Sequence, residues 1–164
     1  MRVIATFPRL RLTFIRLMRA YVVFLWGSSF FFAMATGIET VKGKLISALI
    51  YLTAWAFFTT SALMYSELRD ELAKMRFTAY WRFFSRYSPP LGGYAVLHVL
   101  TGLVFVMVDV LHGEYGAIAV ALILKGVFEH VLHDVVEDLK GVSFLYDETL
   151  NGGLDRIALK DPFK

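Results

Sequence analysis

The sequence predicts an all-α integral membrane protein, a four-helix bundle with basic amphipathic cytoplasmic segments. Apolar residues make up 57% of the 164 positions and the mean hydropathy is +0.58, whereas a soluble domain has about 45–50% apolar residues. Four apolar stretches alternate with polar connections, and each approaches the roughly 20 residues that a helix needs to cross a bilayer. We therefore expect a single membrane domain over residues 1–164.

The predicted spans cover residues 20–38, 45–66, 91–112 and 117–139. The last two spans are joined by the short turn from Gly113 to Gly116, and such a turn makes the two helices antiparallel neighbours. Residues 1–19 are predicted to form a basic interfacial N-terminus, with an amphipathic helix over 7–19 lying on the membrane surface.

Two further segments are expected outside the spans. Residues 72–87 mix basic and aromatic side chains, which is typical of a segment in the headgroup layer. Pro89 and Pro90 are predicted to end that segment before the third span begins. Residues 141–164 contain several glycines and a proline, so we expect a loop there with at most a short helix.

Basic residues indicate the orientation in the cell membrane. Residues 1–19 contain five arginines and no acidic residue, and residues 69–90 contain five further basic side chains. By the positive-inside rule, the N-terminus, the 69–90 connection and the C-terminal tail are expected to be cytoplasmic. Because these arginines flank apolar spans, their expected partner is the lipid bilayer and not nucleic acid. The chain has no cysteine, which excludes disulfides and iron–sulfur ligation.

Ionisable side chains at membrane depth usually mark a functional site, and the third and fourth spans carry several. Counting back from the turn on each side places His98 level with His130 and His133. Gly102 shares a helix face with His98, and Glu67 ends the second span on the same side. We expect these residues to approach one another in the cytoplasmic half of the bundle.

One interpretation is a b-type haem held between the third and fourth helices. Two neutral imidazoles from facing helices suit six-coordinate iron, so His98 and a fourth-helix histidine, His130 before His133, would be the axial ligands. Gly102 would let the flat macrocycle approach the backbone. The cofactor-binding candidates are His98, Gly102, Lys125, His130 and His133.

Two other interpretations stay open. His98, His130, His133 and Glu129 contain imidazole and carboxylate ligands that suit zinc, iron or copper. Alternatively, the buried polar residues only pair with one another and fix the helix register. For Lys125 the favoured partner is Glu129, one helical turn away.

Further expectations concern Lys125, Asp109 and His112 in the third and fourth spans. Lys125 has two alternative partners, namely a haem propionate or quinone, and Asp109. Asp109 and His112 lie near the outer surface and are expected to be hydrated end groups.

His98, Gly102 and Asp109 form the pattern H-x3-G-x6-D. This pattern resembles the haem-bearing helix of the cytochrome b anchor subunits of succinate dehydrogenase. The resemblance implies that His98 ligates haem.

Residues 50–133 also resemble the copper-resistance D and four-helix protoporphyrinogen oxidase group. The similarity lies in the basic aromatic stretch RFTAYWRFFSRYSPP, the Leu-Thr-Gly-Leu sequence from Leu100 to Leu103, and Lys125 in the next helix. Both resemblances imply haem or porphyrin chemistry.

These observations lead to three functional hypotheses. The first is a membrane subunit of a respiratory-type complex that carries haem b for electron transfer to or from quinone, with other membrane subunits as partners. The second is a non-catalytic accessory or assembly subunit. The third is a small metal- or proton-handling membrane protein. A Soret band in the purified protein would favour the first hypothesis over the second.

Overall fold

The computed structural model describes the backbone of residues 2–74 and 77–151, and the side chains of residues 12–70, 91–111 and 113–138. The predicted all-α four-helix bundle is confirmed, and no strand occurs in the described ranges. The helices are α1 Arg2–Val41, α2 Leu45–Lys74, α3 Phe77–His112 and α4 Gly116–Asn151.

Each helix contains a segment long and apolar enough to cross a membrane. The four segments are Leu12–Val41, Leu45–Asp70, Leu91–Leu111 and Gly116–Asp138. Large apolar side chains cover the outside of the bundle, and Val41, Val110 and Leu111 are 91%, 81% and 76% exposed. Such a surface is suited to lipid, so the chain is a multi-pass membrane protein.

The first helix begins well before the predicted span. An amphipathic helix leading into the span was expected over residues 7–19, and α1 runs without a break from Arg2; the position of that segment on the membrane surface stays a prediction. Phe14 and Met18 lie in the core and are 2% and 1% exposed, whereas Arg16 and Arg19 are exposed. The apolar face of this segment therefore packs against the bundle, because its spacing continues the core-facing side of the span.

Two other predicted boundaries also differ. α3 continues through Pro89 and Pro90, although each proline removes one backbone hydrogen bond from the helix. α4 continues past Gly141 to Asn151, where a loop was expected, since one glycine lowers helix stability by only about 1 kcal/mol. The predicted lipid contacts of the side chains of residues 72–87 lie outside the described residues.

α4 packs against both α3 and α1, and α1 packs between α4 and α2. The predicted antiparallel pairing of α3 and α4 is confirmed, and two glycines allow a close approach. A Cβ on Gly126 would lie 2.6 Å from Val99 Cγ2, and one on Gly102 would lie 2.6 Å from Ile123 Cγ1. In contrast, α2 and α3 make few contacts within the described ranges.

The bundle has two chemically different ends. The turn end carries the turns at residues 42–44 and 113–115, and the terminal end is where α1 begins and α4 ends. Towards the turn end, the interior is filled by an aromatic column whose neighbouring ring centroids lie 5.2–6.4 Å apart. Its members are Tyr21, Phe24, Phe58, Phe32, Tyr51 and Tyr115. The described interior of that half is therefore mainly aromatic.

Candidate functional site: a buried cluster around Glu129

The most deeply buried charge in the described bundle belongs to Glu129. Its side chain is 1% exposed. At 1.5 Å per residue, Glu129 lies about 20 Å along α4 from Gly116 and about 14 Å from Asp138. A carboxylate at this depth needs several hydrogen-bond donors, because neither lipid nor apolar side chains can solvate it.

Three donors converge on one carboxylate oxygen. Glu129 Oε1 accepts hydrogen bonds from the Tyr21 hydroxyl at 2.8 Å and from the Tyr65 hydroxyl at 3.0 Å. It also accepts one from Lys125 Nζ at 2.5 Å. The predicted pairing of Lys125 with Glu129 is therefore confirmed, and the lysine side chain is only 2% exposed. The two charges cancel within the membrane interior.

His98 contacts the other carboxylate oxygen of Glu129, Oε2. Its Nδ1 lies 2.5 Å from Glu129 Oε2, and the residue is 8% exposed. Each helix thus contributes to one group, which we call the Glu129 cluster. Its members are Tyr21 of α1, Tyr65 of α2, His98 of α3, and Lys125 and Glu129 of α4.

Hydrogen-bond capacity assigns the protons in the cluster. An ionised carboxylate only accepts hydrogen bonds, and Lys125, Tyr21 and Tyr65 all donate to Glu129. With Glu129 ionised, His98 donates its Nδ1–H to Oε2, and in the neutral ring Nε2 then carries no proton. Lys125 Nζ also lies 3.3 Å from His98 Nδ1. This second contact is longer, and a protonated Nδ1 cannot accept it, so we assign the lysine proton to Glu129.

Aromatic rings surround the cationic side of the cluster. Lys125 Nζ lies 5.2 Å from the centre of the Phe57 ring and 5.8 Å from that of Tyr65. These distances allow cation–π attraction, which is strongest where water is excluded. Phe57 also meets His98 edge-on at 5.3 Å, and Tyr94 stacks on His98 at 6.2 Å.

The Glu129 cluster is not required to hold α3 against α4. Gly102 and Gly126 already bring these helices into close contact. A buried ion pair is often no more stabilising than well-packed apolar residues of the same size.

The structure brings together only part of the expected site. His130, predicted to face His98, is 69% exposed at its side chain and lies 3.8 Å from Asp134. His133 lies against Gly92, whose added Cβ would be 3.0 Å from the His133 ring. Glu67 is exposed. Of these residues, His98 alone contacts the carboxylate of Glu129.

The packing around Gly102 and the grouping of the polar side chains can be compared with the haem and metal interpretations. Ile123 fills the space beside Gly102 that a macrocycle was expected to use, so a haem there would require α3 and α4 to separate. Haem b stays a prediction from the sequence. Among the described side chains, no three histidine, aspartate or glutamate residues are grouped to hold a metal ion.

Asp109 has a different role from the hydrated end group that was expected. Its Oδ1 accepts hydrogen bonds from the backbone N–H groups of Tyr115 and Gly116, both at 2.7 Å. These N–H groups begin α4 and have no partner within that helix. Asp109 of α3 therefore caps α4 and fixes the turn. The side chain of His112 lies outside the described residues.

Sequence reasoning missed Tyr21 and Tyr65. Both stand within apolar runs, where a tyrosine is easily taken for part of an interfacial aromatic belt. A fully buried tyrosine hydroxyl, however, needs a hydrogen-bond partner. In the predicted spans 20–38 and 45–66 each tyrosine is the second residue from an end, so the sequence alone gave no signal that their hydroxyls are buried.

A second polar group joins the two turns, and we call it the turn-end latch. Lys44 Nζ lies 2.6 Å from Glu114 Oε1, and the Ser47 hydroxyl donates to Glu114 Oε2 at 3.0 Å. The Tyr51 hydroxyl donates to the Glu114 carbonyl at 2.6 Å. The hydrogen bond and charge of Glu114 raise the pKa of Lys44 above its ordinary value. Beside this latch, Gly113 has a φ of 68°, which glycine adopts without steric cost.

No protein-family model, curated protein or solved structure matches this chain. The interpretation of the Glu129 cluster therefore rests on its geometry and on the chemistry of its residues.

Proposed function

We propose that this chain is a proton-handling membrane protein and that the Glu129 cluster is its proton-binding site. The observation that supports this proposal is the buried contact between His98 Nδ1 and Glu129 Oε2. It places a titratable ring against a carboxylate in the middle of the bundle. Histidine changes charge near physiological pH more readily than any other side chain.

The hydrogen bonds indicate where an added proton goes. All four contacts of Glu129 are donors, so a proton on this carboxylate would displace one of them. Nε2 of His98 is the open position, and a proton there creates an imidazolium whose Nδ1–H still faces Glu129. Lys125 and the two tyrosines hold Oε1 and thereby leave Oε2 for His98.

Every element packed around His98 contributes to this equilibrium. α4 supplies Lys125 and Glu129, α1 and α2 supply the hydroxyls of Tyr21 and Tyr65, and α3 supplies the neighbouring Tyr94 ring. Glu129 is the negative charge in contact with the His98 ring, and Lys125 is the neighbouring positive charge.

Access to the cluster is expected from one end. Towards the turn end, the polar groups beside the aromatic rings include the tyrosine hydroxyls and the Ser29–Thr59 hydroxyl pair, whose oxygens lie 2.6 Å apart. Towards the terminal end, His133 lies one helical turn beyond Glu129 and is 29% exposed. We infer that protons exchange with water at the terminal end.

Nitrogen NMR of histidine tests the proposal directly. The protein, labelled at histidine and held in lipid nanodiscs, is titrated from alkaline to mildly acidic pH, and the His98 signals are identified by their loss in His98→Asn. At alkaline pH we expect neutral His98 with its proton on Nδ1, and at acidic pH an imidazolium.

Two variants sharpen this experiment. In Glu129→Gln the amide can donate to Nδ1, so neutral His98 should move its proton to Nε2. The matched control Glu114→Gln, at the turn-end latch, should leave the His98 signals unchanged. A wild-type His98 that stays neutral throughout, or that carries its proton on Nε2, would contradict the proposal.

The accessory-subunit hypothesis is the second candidate, and one observation favours it. The Glu129 cluster takes a residue from every helix, and buried polar contacts of this kind fix helix register in membranes. In that role His98 would pair with Glu129 without changing its charge. The quinone, haem b and partner subunits expected from the sequence remain predictions, and a Soret band in the purified protein would support the haem.

A further inference from the structure

Nε2 of the His98 ring makes no contact within the Glu129 cluster. Nδ1 faces Glu129, and the two ring nitrogens of an imidazole point in nearly opposite directions. Among the described residues, Nε2 has no hydrogen-bond partner, although the residue is 8% exposed. A buried nitrogen acceptor without a donor is costly in a membrane interior, so this position suits a ligand.

The side of the bundle next to His98 is thinly covered. α2 and α3 make few contacts in the described ranges. Phe57 of α2 and Tyr94 of α3 lie against the His98 ring, and they are 37% and 49% exposed on the lipid-facing surface. Movement of these two rings would open His98 to the bilayer without disturbing the close packing of α3 on α4.

We propose that Nε2 of His98 accepts a hydrogen bond from the hydroxyl of a lipid-soluble phenol that enters from the bilayer between α2 and α3. This inference rests on the proposed function and names the class of molecule that its site takes. The ligand must be a donor, because Nε2 carries no proton. It is lipid-soluble because the opening faces lipid, and aromatic because Phe57 and Tyr94 offer ring faces and edges for stacking.

The hydrogen bond connects the bound phenol to the Glu129 cluster. The phenol O–H donates to Nε2 and keeps its proton, while the Nδ1–H of His98 keeps its hydrogen bond to Glu129. No covalent bond is broken, so no oxidant, reductant or third reactant is needed.

Binding is tested with para-nonylphenol as the probe and para-nonylanisole as its matched control. The two molecules have nearly the same shape and lipid solubility, but the methyl ether has no hydroxyl proton. Tritiated para-nonylphenol should bind saturably to nanodiscs that contain the protein, beyond its partitioning into empty nanodiscs. Unlabelled para-nonylphenol should displace the label and para-nonylanisole should not.

Variants assign this binding to Nε2. His98→Asn keeps an amide donor near Glu129 but removes Nε2, and it should weaken binding at least about tenfold, the equivalent of one lost hydrogen bond. His130→Asn, at an exposed histidine of α4, should bind as the wild type does. In nitrogen NMR of the wild type, para-nonylphenol should shift the His98 Nε2 signal.

The outcomes separate this inference from the proposed function. If His98 titrates but the protein binds both probes equally or neither of them, the phenol site is wrong and the proton site stands. If para-nonylphenol binds selectively while His98 never becomes an imidazolium, the phenol site stands and the proton site is wrong. Selective binding that persists in folded His98→Asn also overturns the phenol site.

Discussion

The Glu129 cluster and the turn-end latch use the same chemistry in opposite surroundings. Each contains a lysine paired with a glutamate carboxylate. A tyrosine hydroxyl donates to that carboxylate in the Glu129 cluster and to the backbone carbonyl of the glutamate in the turn-end latch. The side chains of Lys125 and Glu129 are 2% and 1% exposed, whereas those of Lys44 and Glu114 are 50% and 37% exposed. The same pair of residue types therefore serves as an interior site in one place and as a surface contact in the other.

The turn-end latch and the Glu129 cluster differ in their access to water. If one partner leaves the turn-end latch, water can solvate the other, so the exposed ion pair contributes little stability. If one partner leaves the Glu129 cluster, the remaining charge stays buried among rings and lipid. We therefore expect matched substitutions to have large effects in the cluster and small effects in the latch.

The largest expected effect comes from Lys125→Met, which leaves Glu129 charged and without its cation. Breaking a buried pair in this way costs about 3–5 kcal/mol. Reversible unfolding in mixed micelles, followed by circular dichroism, measures the loss of unfolding free energy. Lys44→Met is the matched control and should lose far less; equal losses would show that burial does not distinguish the two pairs.

Adding Glu129→Gln to Lys125→Met should recover part of that stability. The double variant has no buried charge, and the glutamine can still accept hydrogen bonds from Tyr21 and Tyr65 while it donates to His98. Its unfolding free energy, from the same micelle experiment, should lie above that of Lys125→Met alone. A further loss in the double variant would mean that the charge on Glu129 is not what destabilises the single variant.

Gly126→Ala separates the packing of α3 on α4 from the charges of the Glu129 cluster. The added Cβ would lie 2.6 Å from Val99 Cγ2 and 2.8 Å from the Ala95 carbonyl oxygen. The helices must move apart, at a cost of about 1–3 kcal/mol. Gly93→Ala in α3 is the control, since nothing lies within 4 Å of its Cβ. Thermal unfolding in detergent should show a loss only for Gly126→Ala.

Tyr65→Phe removes one donor from Glu129 and leaves the other three in place. The expected loss is about 1 kcal/mol, the usual value for one hydrogen bond. Tyr51→Phe removes the hydroxyl that donates to the Glu114 backbone carbonyl in the turn-end latch, and water can replace it there. In detergent, Tyr65→Phe should unfold at a lower temperature than Tyr51→Phe. The reverse order would contradict the expectation that substitutions have larger effects in the Glu129 cluster than in the turn-end latch.

The smallest effect concerns pH and the turn-end latch. Glu114 raises the pKa of Lys44 above 10.5, so the stability that Lys44 contributes is fully present below pH 10.5. That stability is lost as pH rises through the raised pKa of the folded protein. The difference in unfolding free energy between the wild type and Lys44→Met should therefore be constant near neutral pH and shrink only under strongly alkaline conditions. A difference that shrinks on acidification towards neutral pH would contradict this assignment.

The sequence predicts well what depends on one helix or on one short turn. Hydropathy locates the spans, and the spacing of one helical turn pairs Lys125 with Glu129. The short turn at residues 113–115 pairs α3 with α4. These features need no knowledge of how distant segments pack.

The remaining features depend on tertiary packing. Glu129 and His130 are adjacent and therefore point about 100° apart, so only one of them can face His98. The close contact of Gly126 with α3 fixes the rotation of α4 and selects Glu129. Tyr21 and Tyr65 join the cluster only because α1 packs between α2 and α4, and no local pattern encodes that arrangement.

The central claim is that the Glu129 cluster binds a proton and does more than hold the helices together. The most direct measurement is the number of protons that the protein in nanodiscs takes up between neutral and mildly acidic pH, compared with folded Lys125→Met/Glu129→Gln. Without the carboxylate, an imidazolium at His98 has no negative partner. The account predicts that the wild type takes up about one proton more per molecule than the double variant. Equal uptake by the two proteins would contradict it.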